Sequence, residues 1–328
     1  MKAAWYEKFG VASEVIQVGE FDKPTAGHGE VLVRMKTSGV NPSDTKKRDG
    51  AFPNLLDNGP VIPNSDGAGV IEAVGTGVPH SRVGQRVWIY QAQFGRLHGT
   101  AAQYLAIDSC RAVPLPDNVD FDIGACLGIP AMVAHRCVFA DGSVKGQVLL
   151  ITGGAGRVGY YAIQFAKQGG ATVIATAHSA EAQKDSLEAG ADFLVSHHEA
   201  DWHEQVLKIT KGRKVDRVID VEFGQNLPKI LDVIRVGGVI ASYSSTVVAE
   251  PALPFKRMMF MDLTVRMVIV YAMPEDAKEA AIRDITLALE KGTLQHRIAA
   301  RYPLEQFAES NRKIEQGGFL GCVVVDID

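Results

Sequence analysis

The sequence predicts an α/β protein of two domains, a β-rich barrel-like domain and a doubly wound parallel sheet, on three observations. The first hundred or so residues are dense in short β-like runs, and from about Phe121 the texture changes to strands alternating with helices. Inside the alternating half, a Gly-X-Gly-X-X-Gly turn sits between an apolar run and a helical pattern. The length, 328 residues, exceeds the size at which one hydrophobic core usually stops growing and favours two.

The β-like runs are residues 31–35 (VLVRM), 69–74 (GVIEAV) closed by Gly75-Thr76-Gly77, and 86–90 (RVWIY). In the second half the strands are expected at 148–152, 172–176, 193–196, 217–220 and 239–243, and their alternation with helices means a parallel sheet. After Pro254 comes another apolar run, 265–271, and after Pro274 an amphipathic helix with Ala281, Ile285, Ala288 and Leu289 on one face. The last strand, 322–325, needs a sheet to join. No repeat or low-complexity linker marks a boundary, so the boundaries near Phe121 and Asp262 rest on texture alone.

Composition narrows the function. Hydrophobic residues make up 46%, charged residues 22%, and the formal charge is -4, so there is no basic surplus to meet a nucleic-acid backbone. No apolar run reaches the roughly 18 residues of a membrane span, and the opening MKAAWYE lacks the apolar region of a secretion signal. A cytoplasmic protein is the expectation. Cys110, Cys126, Cys137 and Cys322 are scattered, with no Cys-X-X-Cys and no Cys/His cluster at zinc-like spacing. They read as reduced and mostly buried, Cys126 as a small core residue, and no residue is assigned to a metal.

The segment 149–160 (LLITGGAGRVGY) reads as a buried strand, a glycine turn and a helix whose Tyr161, Phe165 and Ala166 face one way. Gly154, Gly156 and Gly159 fit the logic of a tight turn, close backbone approach to a pyrophosphate, and close packing of helix on sheet. The helix N-terminus adds N–H groups and partial positive charge. The dinucleotide cradle is therefore expected at Gly153, Gly154, Ala155, Gly156, Arg157, Val158 and Gly159.

Several further motifs stand in order along the chain: GVNPSD at 39–44, PNSDGAGVIEAVG at 63–75, GQRV at 84–87, GIPA at 128–131, EAGAD at 188–192 and GGF at 317–319. With the glycine turn they make the chain resemble, over nearly its whole length, the zinc-independent quinone oxidoreductases of the medium-chain dehydrogenase/reductase superfamily, with ζ-crystallin as a relative. The resemblance implies a GroES-like barrel formed by both chain ends, 1–121 with 263–328, a Rossmann domain at 122–262, and NADPH and substrate in a cleft between them. Zinc-dependent relatives carry a cysteine where this chain has Asn41, a histidine near Asn64, and a four-cysteine lobe that is missing here. No zinc is therefore expected, since an amide is a poor ligand beside thiolate or imidazole.

NAD specificity in this fold usually takes an Asp or Glu about 20 residues past the turn. The corresponding strand end, from Thr176 through Ala177, His178 and Ser179, has no carboxylate. A 2′-phosphate is thus not repelled, His178, Ser179 and Lys184 are candidate donors to it, and Thr176 is expected on the cofactor side with them. The resemblance adds His197 on the phosphate side. NADPH is expected over NADH. Lys184 reads equally as a solvated helix lysine, and His197-His198 as a polar loop pair.

The cofactor brings the hydride, so the protein's share is orientation and electrostatics. The resemblance places the substrate against the first-domain loop from Asn41 through Lys46 and Lys47 to Phe52, with Tyr243 and Ser244 near the nicotinamide. Asn41 reads equally as a turn residue. Close relatives have tyrosines in this loop where the chain has Lys46 and Phe52, so the proton is expected from solvent. Arg157 replaces a small residue of the turn, and Ser244 replaces a glycine; His135 reads as a core residue. The function these readings imply is an NADPH-dependent, zinc-independent reductase of quinones or α,β-unsaturated carbonyl compounds. An enoyl-thioester reductase and an NADPH-binding structural or regulatory protein without turnover are the alternatives. A homodimer through sheet-edge pairing at 239–248 or 265–271 is suggested by the same resemblance.

Overall fold

The computed structural model describes residues 1–327 and divides into two compact units, 1–129 with 282–328, and 130–281. The second crossover thus falls inside the helix Glu275–Glu290, later than the texture change near 262. The cause is the strand Thr264–Met267, which pairs in parallel with Ile234–Ser242 and so keeps residues 263–281 with the parallel sheet.

The first unit is organised by one long strand, Glu30–Val40. It pairs along its length with Asp66–Val74, through its first half with Tyr104–Asp108, and through its last residues with Cys322–Asp326. That last pairing is the sheet the final strand requires. Through the first half of the long strand every second residue points into one core. Val31, Val33 and Met35 pack there with Ile71, Val87, Leu105, Val323, Val325 and Phe307, all buried. A separate ribbon pairs Lys2–Trp5 with Gln17–Glu20.

The second unit is a six-stranded parallel sheet. Its order across is Phe193–Val195, Thr172–Thr176, Val148–Ile151, Val215–Asp220, Ile234–Ser242 and Thr264–Met267. From Val148–Ile151 the chain builds outward in one direction and then, from Val215–Asp220, in the other. In such sheets ligands bind beyond the strand C-termini where the order reverses, here beyond residues 151 and 220. Both central strands are buried on both faces, as a parallel sheet covered by helices demands. The two charged residues near the start of 215–220 have partners: Asp216 accepts from the Val148 N–H and from Arg235, and Arg217 donates to the Cys137 carbonyl.

The apolar run 265–271 is split, with a strand to Met267 and a 3₁₀ turn at Val270–Ala272. Ala281, Ile285, Ala288 and Leu289 of the following helix are buried as their spacing predicts. His135 is a core residue, with its ring 4.9 Å from Phe139 and 5.5 Å from Phe165. Cys126, Cys137 and Cys322 are buried and Cys110 is exposed, all four as free thiols. Among the described residues no helix is long and apolar enough to cross a membrane.

Candidate functional site

The glycine turn of the second unit is held by its neighbours' polar atoms. Thr176, buried at the end of the next strand, accepts the Gly153 N–H on its hydroxyl at 2.9 Å and the Gly154 N–H on its carbonyl at 3.0 Å. Thr176 therefore supports the turn rather than facing a ligand. Gly153 has φ +64°, in the left-handed region. A Cβ on Gly154 would lie 2.8 Å from the Ala175 Cβ, and one on Gly159 would lie 2.2 Å from the Gly153 carbonyl oxygen. Both glycines are demanded by packing. At Gly156, the cap of the helix Arg157–Gln168, a Cβ would meet only the Gly153 oxygen, at 3.1 Å, so the remaining side of that backbone is open to a close-approaching group. The three glycines thus divide into two that seat the helix and one that leaves room, which fits a bound pyrophosphate. The first turn of this helix has no carboxylate and begins with Arg157, an arrangement that costs energy at a helix N-terminus and is relieved by an anion.

Beyond the two central strands, Asp220 ties the crevice together. Its Oδ1 accepts from the Thr152 hydroxyl at 2.6 Å and from Asn226 at 2.9 Å, and the Thr152 oxygen in turn accepts the Val221 N–H. Burial raises this carboxyl above the ordinary range. Thr152 and Asp220 are not among the residues expected from the sequence; the signal there is an acid closing the strand segment 217–220.

At the same sheet end, Phe223, Ser242 to Ser245, Pro251, Leu253 and Met267 to Ile269 enclose a cavity of about 380 Å³. Tyr243 and Ser244, the residues expected near a nicotinamide, line it. The loop above is shaped by Glu222, whose carboxylate accepts the Thr246 and Val247 N–H groups. Tyr243 is half-buried overall, yet desolvation around its hydroxyl, reinforced by Cys137 and Asp220 and opposed by Arg157, holds the phenol well above its usual range.

The expected 2′-phosphate residues lie at the neighbouring strand ends. Thr176 and Val195 are register partners, and the Ala177 N–H donates to the Val195 carbonyl. His178 and His197 each stand two residues beyond that rung, which places their rings side by side with centroids 5.0 Å apart. His198 joins them at 4.6 Å and 4.7 Å. All three are exposed. Partial shielding of the His197 ring, with the neighbouring imidazoles, holds its pKa below the ordinary value. Ser179 caps the helix Ala180–Glu188 by accepting the Ala182 N–H at 3.1 Å. Lys184 is exposed and lies 3.7 Å from Glu188, in keeping with a solvated helix lysine that remains available to an anion.

The first unit holds the other set. Asn41 is 4% exposed; it caps the helix Pro42–Arg48, its N–H donating to Asp44 and its amide nitrogen to Asp66, both at 2.9 Å. The geometry therefore gives Asn41 the turn-stabilising role. Asp66 also accepts the Ile129 N–H, at 2.7 Å. Burial raises Asp66 to about 8 and Asp44 to about 6. Lys47 Nζ donates to the Gln93 carbonyl, and burial lowers its pKa. Asp44 and Asp66 are not among the residues expected from the sequence, although they stand in the GVNPSD and PNSDGAG motifs. Lys46 is exposed, and Phe52, 44% exposed, lines a second cavity of about 380 Å³ with Lys47, Pro53 to Leu55 and Gln93 to Gly95. Positions 41, 65 and 66 offer an amide, a hydroxyl and a buried carboxyl, a set without the thiolate and imidazole donors of a catalytic zinc site.

Comparison with known proteins follows the same division. The family model described as an alcohol dehydrogenase GroES-like domain matches residues 27–117, and that described as a zinc-binding dehydrogenase matches 158–286. A quinone oxidoreductase of Mus musculus is 31% identical over 303 residues, covering 90% of this chain and 88% of that protein. The solved structure of an Escherichia coli quinone oxidoreductase complexed with NADPH superposes with a TM-score of 0.87 at 25% identity, covering 99% of this chain and all of the other. A mycobacterial protein, also solved with NADPH, gives a TM-score of 0.88 at 25% identity over 99% of this chain and 100% of the other.

Proposed function

The chain belongs to the quinone oxidoreductase family of the medium-chain dehydrogenase/reductase superfamily and is an oxidoreductase, and from that premise we propose that it reduces quinones or α,β-unsaturated carbonyl compounds with NADPH and without zinc. The observation that carries the reading is the glycine turn, with two positions closed to any side chain, one left open, and no carboxylate at the end of the adjoining strand. When bound, the nicotinamide supplies the hydride.

The residues divide the remaining work. The backbone from Gly153 to Gly159 and the helix N-terminus hold the pyrophosphate, with Arg157 adding charge. His178, Ser179, Lys184 and His197 meet the 2′-phosphate, and the choice of nucleotide is supported by the two superposed proteins solved with NADPH. Tyr243 and Ser244 shape the nicotinamide end. Asn41 acts as a positioning residue by fixing the start of the helix that carries Lys46, and Phe52 walls the substrate cavity. Solvent protonates the enolate or the hydroquinone oxyanion. Absence of zinc is supported by the donor set around Asn41 and Asp66.

The partner is a small acceptor. A second copy of the chain is expected at the strand Thr264–Met267, because it is the sheet edge while Ile234–Ser242 is paired on both sides. A cytoplasmic setting suits a reductase that draws on a soluble nicotinamide pool.

The test is NADPH oxidation in the presence of a chelator against 1,4-benzoquinone, a naphthoquinone, simple enones and a crotonyl thioester. Turnover of quinones or enones is expected. Turnover of the thioester alone would replace the reading with an enoyl-thioester reductase, and nucleotide binding without any turnover would contradict it.

A further inference from the structure

We propose that His178, His197 and His198 form a surface site for a divalent transition metal, with Zn²⁺ the reference ion, at the C-terminal end of the parallel sheet. Nothing in the linear spacing announces such a site, because His178 lies in the loop after one strand and the other two lie in the loop after the next. The register Thr176↔Val195 brings the loops together. One candidate ligand nitrogen from each residue can be chosen so that all three lie within 4.8 Å of one another. Imidazole nitrogens on a tetrahedral zinc lie about 2.0–2.1 Å from the ion, hence roughly 3.4 Å apart. Small side-chain rotations close that difference, and exposed rings on loops are free to make them.

The chemistry selects the ion. Three neutral imidazoles suit Zn²⁺, Ni²⁺ and Cu²⁺ and suit Mg²⁺ or Ca²⁺ poorly, since the latter take oxygen ligands. Three protein ligands leave a fourth position open to water or an added group, as in sites where zinc keeps an exchangeable ligand. Ala177 and Val195, whose backbone hydrogen bond joins the two loops, hold the platform beneath the rings.

The site deepens the nucleotide reading, on which this second part rests. His178 and His197 are the residues assigned above to the 2′-phosphate, and a metal held there presents two positive charges and an open position to a phosphate oxygen. Its occupancy strengthens binding of NADPH relative to NADH, which lacks that group.

The experiment begins without nucleotide. Zn²⁺ is titrated calorimetrically into the full chain carrying Cys110→Ser, which removes the exposed thiol as a competing ligand, in buffer free of phosphate. One ion per chain is expected, and each of His178→Gln, His197→Gln and His198→Gln is expected to weaken it about tenfold or more, at least as much as loss of an outer-shell partner does at known sites. Co²⁺ in place of Zn²⁺ gives a second readout, a visible ligand-field band of four- or five-coordinate cobalt that each variant diminishes. No saturable binding, or binding in the three variants as tight as in the parent, would overturn the site. Fluorescence titration of NADPH and NADH with and without Zn²⁺ then tests the second part: a rise of about tenfold in the NADPH-to-NADH affinity ratio is expected, lost in His197→Gln. An unchanged ratio in a chain that binds Zn²⁺ overturns the phosphate link alone, whereas failure to bind NADPH at all overturns the cofactor reading itself.

Discussion

The glycine turn of the parallel sheet and the Asn41–Asp44–Lys47–Asp66 cluster of the β-rich unit solve opposite problems. The turn is made of backbone: its N–H groups are either spent on Thr176 or directed by a helix start, and its selectivity comes from where a Cβ does not fit. The cluster is made of side chains taken out of water, two acids and a lysine from separate elements, and its character comes from desolvation. The first is tuned by shape and the second by charge. A ligand built from phosphates needs the former, and a loop that must stay rigid beside a cavity uses the latter.

This contrast is broken most sharply at Gly159. Placing a methyl 2.2 Å from the Gly153 oxygen in Gly159→Ala forces the helix off the turn, and we expect NADPH affinity to fall about 100-fold, with a stability loss of about 2–3 kcal/mol. Fluorescence titration and thermal melting measure both. Gly156→Ala, whose Cβ meets a single atom at 3.1 Å, should fold nearly as well as the parent and still lose affinity. Equal effects at the two positions would remove the distinction between seating and approach.

On the charge side, the acids make a prediction about pH. Carboxyls titrate near 4 in an unfolded chain, whereas Asp44 and Asp66 are raised to about 6 and about 8 in the fold. The folded chain therefore binds more protons between these values. Its stability from these groups is fully present below about pH 4 and is lost as pH rises toward about 8. Asp66→Asn keeps an acceptor for Asn41 and Ile129 and cannot ionise. Its melting temperature, compared with the parent's, should improve steadily from pH 5 to pH 8, and a constant difference would show that Asp66 is ionised throughout.

The smallest expected effect concerns Ser179. Ser179→Ala removes the helix cap and should cost about 1 kcal/mol, with a loss of NADPH over NADH preference of a few fold. Equal weakening of both nucleotides would assign Ser179 to the helix alone.

How much of this was legible in the sequence follows the same contrast. The turn was readable because a backbone site leaves its requirement in residue type: only glycine satisfies positions 154 and 159. The strands came through because buried parallel strands are continuous apolar runs, and residues 148–151 and 172–176 fell where they were expected. The edge strand at 264–267 joined the parallel sheet because pairing, which periodicity does not encode, decides membership. Asn41 was identified as a polar residue at the right loop, but its partner Asp66 is 25 residues away and reaches it only through the pairing of Glu30–Val40 with Asp66–Val74. The three-histidine group was invisible for the same reason. His178 and His197 were named as phosphate-side residues, while their juxtaposition depends on strand register.

The central claim is tested most directly by steady-state oxidation of NADPH and of NADH with 1,4-benzoquinone after exhaustive chelation of metal. The account predicts an undiminished kcat and, even without metal, kcat/KM for NADPH at least about tenfold above NADH, a difference of about 1.4 kcal/mol attributable to the 2′-phosphate. Loss of quinone turnover on chelation, restored by Zn²⁺, would contradict zinc-independent chemistry, and equal use of the two nucleotides would contradict the assignment of His178, Ser179, Lys184 and His197.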